Sequence, residues 1–418
     1  MTVSLDVKGE LRVATDGKTQ KLPILVAGSF AYDEMRLDDC GSADDRRSAR
    51  FYRAAEAEIQ IEKKPDRPSL RDDRRLILVM SKKTGIVISA LGGPLTREEV
   101  DLLDVPANSL LVDRLLPSAE VRSGETWRPD AAAVGNLLGL DAVARSDVQC
   151  VLAAVHGSNV EISISGELNG AVAGVATEID LKGKGVFDLD HQRLVSIQLR
   201  IEERRSAGYV SPAFDVIANV QVEIAPLAGS DQLTSEIVKS IPNDSSAMVP
   251  PLVLRSPAGA FQMLYDRRWH VTRDDTSLTV LRLLDRGELV AQCNISPLPQ
   301  LSAGAEFGLE EFQSDVQQAL GKSFGRFDSA SEHKTAAGLK LLKVVAEGTV
   351  SELPIQWRYY LAIDAEGRRV ALTYTLESSL VDRFADADAT MVESLELASP
   401  AEPDRPHKAH SELRIKLN

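Results

Sequence analysis

A period-two alternation of apolar and polar residues constrains this chain more than any other feature. Val3, Leu5 and Val7 alternate with polar neighbours, and so do Val160, Ile162 and Ile164. The same holds for Val195, Ile197, Leu199 and Ile201, and for Val216, Ala218, Val220, Val222 and Ile224. Successive side chains of a strand point to opposite faces, so such runs need one buried face and one wet face, as an antiparallel sheet provides. Further strands are expected over about 22–37, 49–62, 74–81, 85–90, 148–156 and 173–189. Turns at Asp16-Gly17, Gly157-Ser158, Asn169-Gly170 and 188–191 separate them.

Helical periodicity interrupts this pattern. Thr96 and Glu99 make a capping box ahead of Val100, Leu102 and Leu103, and Pro129-Asp130 opens a run carrying Val134, Leu137 and Leu138. An apolar sheet face needs a cover, and this insert, at about 96–140, is expected to supply it. Prolines and polar residues from Pro226 to Pro257 read as a linker, with a short helix around Ser235–Ser240. Strands are then expected at 269–272, 278–284 and 289–296, and a helix carries Leu309, Phe312, Val316 and Leu320. Three or four strands follow, the clearest being Ile355–Ile363 and Val370–Leu376 with a turn at 364–367. A last helix after Ser379 aligns Leu380, Phe384, Ala387, Met391 and Leu395. The fold class is therefore α+β. Residues 1–226 form a curved antiparallel half-barrel capped by short helices, 227–255 a linker, 256–398 an α/β/α-type sandwich on an antiparallel sheet, and 399–418 a disordered tail.

The net charge of −14 repels phosphate backbones and anionic head groups, so nucleic acid is not an expected partner. No apolar run reaches the roughly 20 residues that span a bilayer as a helix. The first residues read as a strand and not as a leader. The expected compartment is the cytoplasm, or the periplasm and cell envelope if a leader has been removed. Cys40, Cys150 and Cys293 are far apart and odd in number, which implies no disulfide framework. Cys150 and Cys293 read as buried hydrophobes, and Cys40 lies in an acidic loop that disfavours a thiolate.

A search for catalytic chemistry returns no motif. Gly17-Lys18-Thr19 and Gly321-Lys322-Ser323 lack the earlier glycine of a phosphate loop, because Arg12 and Val316 stand there. Ser29 and Ser158 lie beside glycines but outside any Gly-x-Ser-x-Gly elbow. His156, His191, His270 and His333 have no metal-ligand spacing, and His407 and His410 fall in the tail. The 38–45 loop lacks the spacing of a calcium site. Glu202 and Glu203 are adjacent in a strand and face opposite ways, so they cannot form a proton-sharing dyad. Asp44-Asp45, Asp72-Asp73 and Asp274-Asp275 read as solvated ion pairs in loops. Trp127, Trp269 and Trp357 read as core anchors, too few to stack single-stranded nucleic acid. No cofactor or metal is expected, and no catalytic residue.

Two resemblances accompany this reading. Tyr265-Asp266-Arg267-Arg268-Trp269-His270, the strand Trp357-Arg358-Tyr359-Tyr360-Leu361 with its hairpin, and the closing Glu393-Ser394-Leu395 resemble the PsbP-like family in their order. That family is largely non-catalytic, so the resemblance implies binding or assembly and assigns no active-site residue. The first region resembles the LolA and lipoprotein-carrier half-barrels. Val121-Arg122-Ser123-Gly124-Glu125-Thr126-Trp127 also resembles a Gly-acidic-x-Trp element of bacterial envelope proteins. The expected function is a non-catalytic binding or assembly protein of the cell envelope with a protein partner. The alternatives are a carrier whose half-barrel holds a lipid or other apolar ligand on Val160, Ile162, Val220 and Val222, and a hydrolase with an unrecognised site.

Overall fold

The computed structural model describes residues 1–15, 18–37, 46–82, 85–241, 249–257, 260–302 and 304–397. The Asp16-Gly17 turn, Cys40 with the 38–45 loop, and the tail with His407 and His410 lie outside these residues. Two compact units divide the described chain. One is Met1–Gly208 with Pro212–Pro250, and the other is Tyr209–Ser211 with the chain from Pro251 onward.

The first unit begins with β1 (Thr2–Thr15), β2 (Lys18–Leu37), β3 (Arg46–Ile61), β4 (Lys64–Asp66), β5 (Leu76–Lys82) and β6 (Gly85–Ala90). The helical insert follows, with α1 (Arg97–Leu103), β7 (Thr126–Trp127) and α2 (Ala131–Leu137). Then come β8 (Ala142–Ser146), β9 (Gln149–His156), β10 (Asn159–Val172), β11 (Val175–Asp188), β12 (Arg193–Arg205), β13 (Ala213–Glu223) and α3 (Ser235–Ser240). One antiparallel sheet runs β6-β5-β3-β2-β1-β13-β12-β11-β10-β9-β7, with β4 on β3 and β8 on β10. Among the described residues its two ends do not pair with each other.

The alternation sets the register. Ile162 lies opposite Gly185, Gly185 opposite Ile197, Ile197 opposite Val222, Val222 opposite Val3, and Val3 opposite Phe30. Such rows make one face apolar and leave the charged residues between them on the wet face. Glycines set how closely neighbouring strands pack: a Cβ on Gly183 would lie 2.6 Å from the Gln198 carbonyl oxygen.

The insert packs against β3, β6 and β12. Thr96 Oγ1 accepts from the Glu99 N–H, Glu99 accepts from the Thr96 N–H, and Asp130 caps α2. Leu110, Leu111, Val112, Leu115, Val134 and Leu138 are all buried. The chain expected as a linker behaves otherwise. Leu233 and Ile241 pack with Ala49, Leu78 and Met80, and Ser230 donates to Asp33 at 2.9 Å. Residues 252–255, also expected as linker, are a strand of the second unit with Leu252 fully buried.

The second unit comprises β14 (Leu252–Arg255), β15 (Phe261–Tyr265), β16 (Trp269–Asp274), β17 (Thr279–Asp285) and β18 (Glu288–Leu298), then α4 (Leu309–Leu320). After α4 come β19 (Phe324–Lys334), β20 (Lys340–Val350), β21 (Leu353–Ile363), β22 (Arg369–Glu377), α5 (Val381–Phe384), α6 (Ala389–Glu393) and β23 (Glu396–Leu397). A seven-stranded antiparallel sheet runs β16-β17-β18-β22-β21-β20-β19, and β14-β15-β23 form a small second sheet. Phe312 and Val316 of α4 pack on Leu342, Val344 and Leu361 on one face. On the other face, Trp269, Tyr374 and Phe384 form an edge-on aromatic cluster with centroids about 6 Å apart.

The last helix departs from expectation. It breaks between α5 and α6 because Ala385 takes a left-handed φ of 47°. The break presents the carboxylate of Asp388, 3% exposed, to Tyr360.

Candidate functional site

The residues expected to line a cavity are packed core. Val160 and Ile162 lie on β10 and are 6% and 5% exposed; Val220 and Val222 lie on β13 and are 2% and 0% exposed. They share the apolar face but not one spot, since β11 and β12 separate the two strands.

Among the described residues, buried polar clusters stand inside the units. In the first unit Arg50 donates from Nε to Glu34 at 2.8 Å, and from Nη2 to Asn108 and Ser109 at 2.7 Å each. Ser109 Oγ in turn donates to Glu34 at 2.7 Å, and the guanidinium stacks 4.9 Å from the Tyr32 ring centre. Burial pushes the Glu34 carboxyl up, but Arg50 and the hydroxyls of Ser109 and Ser48 outweigh it and hold the group below its ordinary value. Ser109 is buried with Glu34 accepting from its hydroxyl and Arg50 donating to it, and no imidazole is among its described partners.

On β12, Glu203 and Arg205 pair at 2.5 Å on the buried face while Glu202 points out to Arg200. Strand alternation thus separates the two glutamates as expected. Arg205 stacks 4.8 Å from the Phe214 ring centre, and burial pushes the Glu203 carboxyl up against the pull of Arg205. In the second unit Tyr360 donates to Asp388 at 2.6 Å and Arg358 donates to the same carboxylate at 3.2 Å. These clusters are buried within their units.

The other candidates scatter. His191 pairs with Asp188 at 2.7 Å and His333 with Glu393 at 3.1 Å, and His156 lies 4.0 Å from Glu161. Among the described residues, no cluster of three or more His, Cys, Asp or Glu could hold a metal ion. Gly321 caps α4, and Lys322 and Ser323 continue into a single 3-10 turn. Trp269 and Trp357 are buried, whereas Trp127 is half-buried and donates to the Leu115 carbonyl, tying the insert to the sheet. Asp274 also departs from expectation: it is buried and accepts from Thr279 at 2.7 Å.

What lies open is a backbone edge. β19 is the outer strand of the seven-stranded sheet and has eleven residues, all exposed except the half-buried Phe324 and Phe327. These two rings pack with the α4 cluster and anchor the near end. Two bulges, near Gly325 and Asp328, twist that end. From Ser329 to Lys334 the register against β20 is regular, Ser329 opposite Val345 through Lys334 opposite Lys340. Along this stretch half of the peptide groups pair with β20 and the rest point outward. Ser329, Ala330 and Ser331 are small and leave that backbone unscreened. The other sheet edges are shorter or partly covered: β16 has six residues, and β9 is capped by β7. An exposed, regular edge can accept another strand through main-chain hydrogen bonds.

Four strands lie between α4 and α5, within the three or four expected, but the sequence reading did not locate β19 among them. Gly-Arg-Phe-Asp-Ser-Ala-Ser-Glu-His-Lys shows no alternation, because neither face of an outer edge is deeply buried. The one available signal was the strong strand at 340–350, which must pair on both sides.

No family model matches the chain, and no curated protein does. Among solved structures, it is similar to a protein from Bacteroides thetaiotaomicron VPI-5482 at 15% identity and TM-score 0.27, over 36% of this chain and 49% of that one. The chain thus spans about half the length of that relative. It is also similar to the cyanobacterial PsbP, CyanoP, from Synechocystis sp. PCC 6803 at 11% identity and TM-score 0.28, over 35% of this chain and 92% of that one. A third likeness, at 9% identity and TM-score 0.29, is to the Ran-binding protein Mog1p from Saccharomyces cerevisiae, over 35% of this chain and 95% of that one. At these scores the fold rests on the strand order described above.

Proposed function

We propose that the protein is a binding or assembly protein without catalytic chemistry, and that its second unit takes an extended segment of a protein partner along β19. The observation that carries this is the exposed, unbulged ladder from Ser329 to Lys334. The depth of the buried polar clusters supports it from the other side, since Arg50, Glu203, Arg205 and Asp388 are all buried. A lipid carrier is disfavoured by the burial of Val160, Ile162, Val220 and Val222 in the core. The cell envelope remains the proposed setting, on the strength of the sequence resemblances, and fractionation of the native host tests it.

The test of function is in-cell crosslinking from a photoreactive phenylalanine analogue at Ser331, with the same analogue at the exposed Lys8 of β1 as control. A discrete protein adduct from position 331 alone supports the reading. Equal or absent adducts at the two positions overturn it.

A further inference from the structure

The charges along β19 show which partner fits. Arg326 pairs with Glu347 at 2.6 Å, Glu332 with Lys340 at 3.3 Å, and His333 with Glu393 at 3.1 Å. Asp328 and Lys334 are the two charged residues of the strand that have no ion pair among the described residues, and both are exposed. They carry opposite charge and stand three residues to either side of Ser331. An antiparallel pair of identical strands that crosses at Ser331 therefore sets Asp328 of each copy opposite Lys334 of the other. The same frame sets Ser329 opposite His333 and Ala330 opposite Glu332, with no like charges facing. Crossing one residue earlier, at Ala330, sets Asp328 against Glu332, which is repulsive. Side-chain size agrees with the first frame, because Ser329, Ala330 and Ser331 leave the centre of the crossing unobstructed.

We infer that β19 is a self-complementary edge, and that a second copy of this chain pairs with it antiparallel about Ser331, joining two seven-stranded sheets into one. The inference rests on the proposed strand addition and names its occupant. Three features bear on it independently: regular register over Ser329–Lys334, two unpaired opposite charges, and their symmetry about one small residue. Asp328 is the bulged residue that bounds this window, so its pair with Lys334 closes the end of the crossing. The contact is short, so the dimer is expected to be weak and concentration-dependent.

Directly opposed residues of antiparallel strands have Cα atoms about 4.5–5.5 Å apart, within disulfide reach. Ser331→Cys is therefore expected to give a disulfide-linked dimer on mild oxidation, while Ser329→Cys, equally exposed but opposite His333, stays reduced. Sedimentation at roughly 100 µM, where small interfaces assemble, is expected to show a monomer–dimer equilibrium for the wild-type chain. Asp328→Lys should weaken it by at least about tenfold, since two attractive pairs become repulsive. Adding Lys334→Asp should restore it to within about threefold. A chain that stays monomeric overturns the inference, and so does a dimer that ignores both charge changes or fails to crosslink through Ser331→Cys. If the chain is monomeric but the photoreactive group at Ser331 captures a different protein, this inference falls while strand addition stands. If neither happens, both fall.

Discussion

The Arg50 guanidinium and the Glu34 carboxylate meet at 2.8 Å, with side-chain exposures of 2% and 10%. The same guanidinium holds Asn108 and Ser109 of the insert. One residue on β3 thus fixes the cover of the sheet to the sheet itself. Removing one partner of a buried, hydrogen-bonded charge leaves the other uncompensated, at a cost of about 3–5 kcal/mol. Arg50→Ala is expected to lose that much in urea unfolding. A loss below about 1 kcal/mol would show that the insert is held by its leucines alone.

The same pair predicts a pH dependence. The Glu34 carboxyl is held below its ordinary value in the folded protein, so it is ionised where the unfolded group would be protonated. Its contribution is fully present above the unfolded value of about 4.3 and is lost as pH falls through the folded value. Glu34→Gln should be less stable than wild type at pH 7, and the difference should shrink towards pH 3. Glu203 carries the opposite sign: its folded value is raised, so its stabilisation is present below about 4.3 and is lost as pH rises through the folded value. A constant difference between Glu34→Gln and wild type from pH 7 to pH 3 would contradict the assignment.

Cys150 and Cys293 are fully buried, and burial pushes the Cys150 thiol up to about 12 and Cys293 higher still. Neither carries thiolate at neutral pH, so neither reacts while the fold is intact. Peptide mapping after iodoacetamide treatment should find both unmodified in native protein and both alkylated in urea. Native alkylation of either would place it at an opening this fold does not have.

The break between α5 and α6 depends on Ala385 at its left-handed φ. Such a conformation costs a non-glycine residue roughly 1–2 kcal/mol, and more for a β-branched one. Ala385→Gly is expected to be neutral to slightly stabilising, because relieved strain offsets glycine entropy. Ala385→Val should destabilise by about 1–2 kcal/mol and disturb the Tyr360–Asp388 bond. Denaturation midpoints check the order, and a valine variant as stable as the glycine one would refute the strain argument.

Alternation was legible wherever one face is buried and the other wet. β1, β10, β12 and β13 follow from it, and so does their register, because a slip of one residue would move every apolar side chain into water. The capping residues Thr96 and Asp130 were legible because capping chemistry is local. Val220 and Val222 show the limit: alternation says that they face inward but not what stands opposite. Ala385 was illegible because an alanine gives no local sign of a left-handed turn; long-range packing around Asp388 holds it there. β19 was illegible for the reason that makes it a candidate site, since a strand exposed at an edge owes its conformation to its neighbour β20.

The account stands on strand addition at β19, and amide hydrogen exchange reads that directly. The measurement compares the free chain with the complex recovered through the Ser331 crosslinker, along 329–334 and along the opposite edge strand, 269–274. Strand addition predicts that amides exchanging fast within 329–334 in the free chain slow markedly in the complex, while 269–274 stays unchanged. Unaltered exchange across 329–334, with a partner bound, would contradict it.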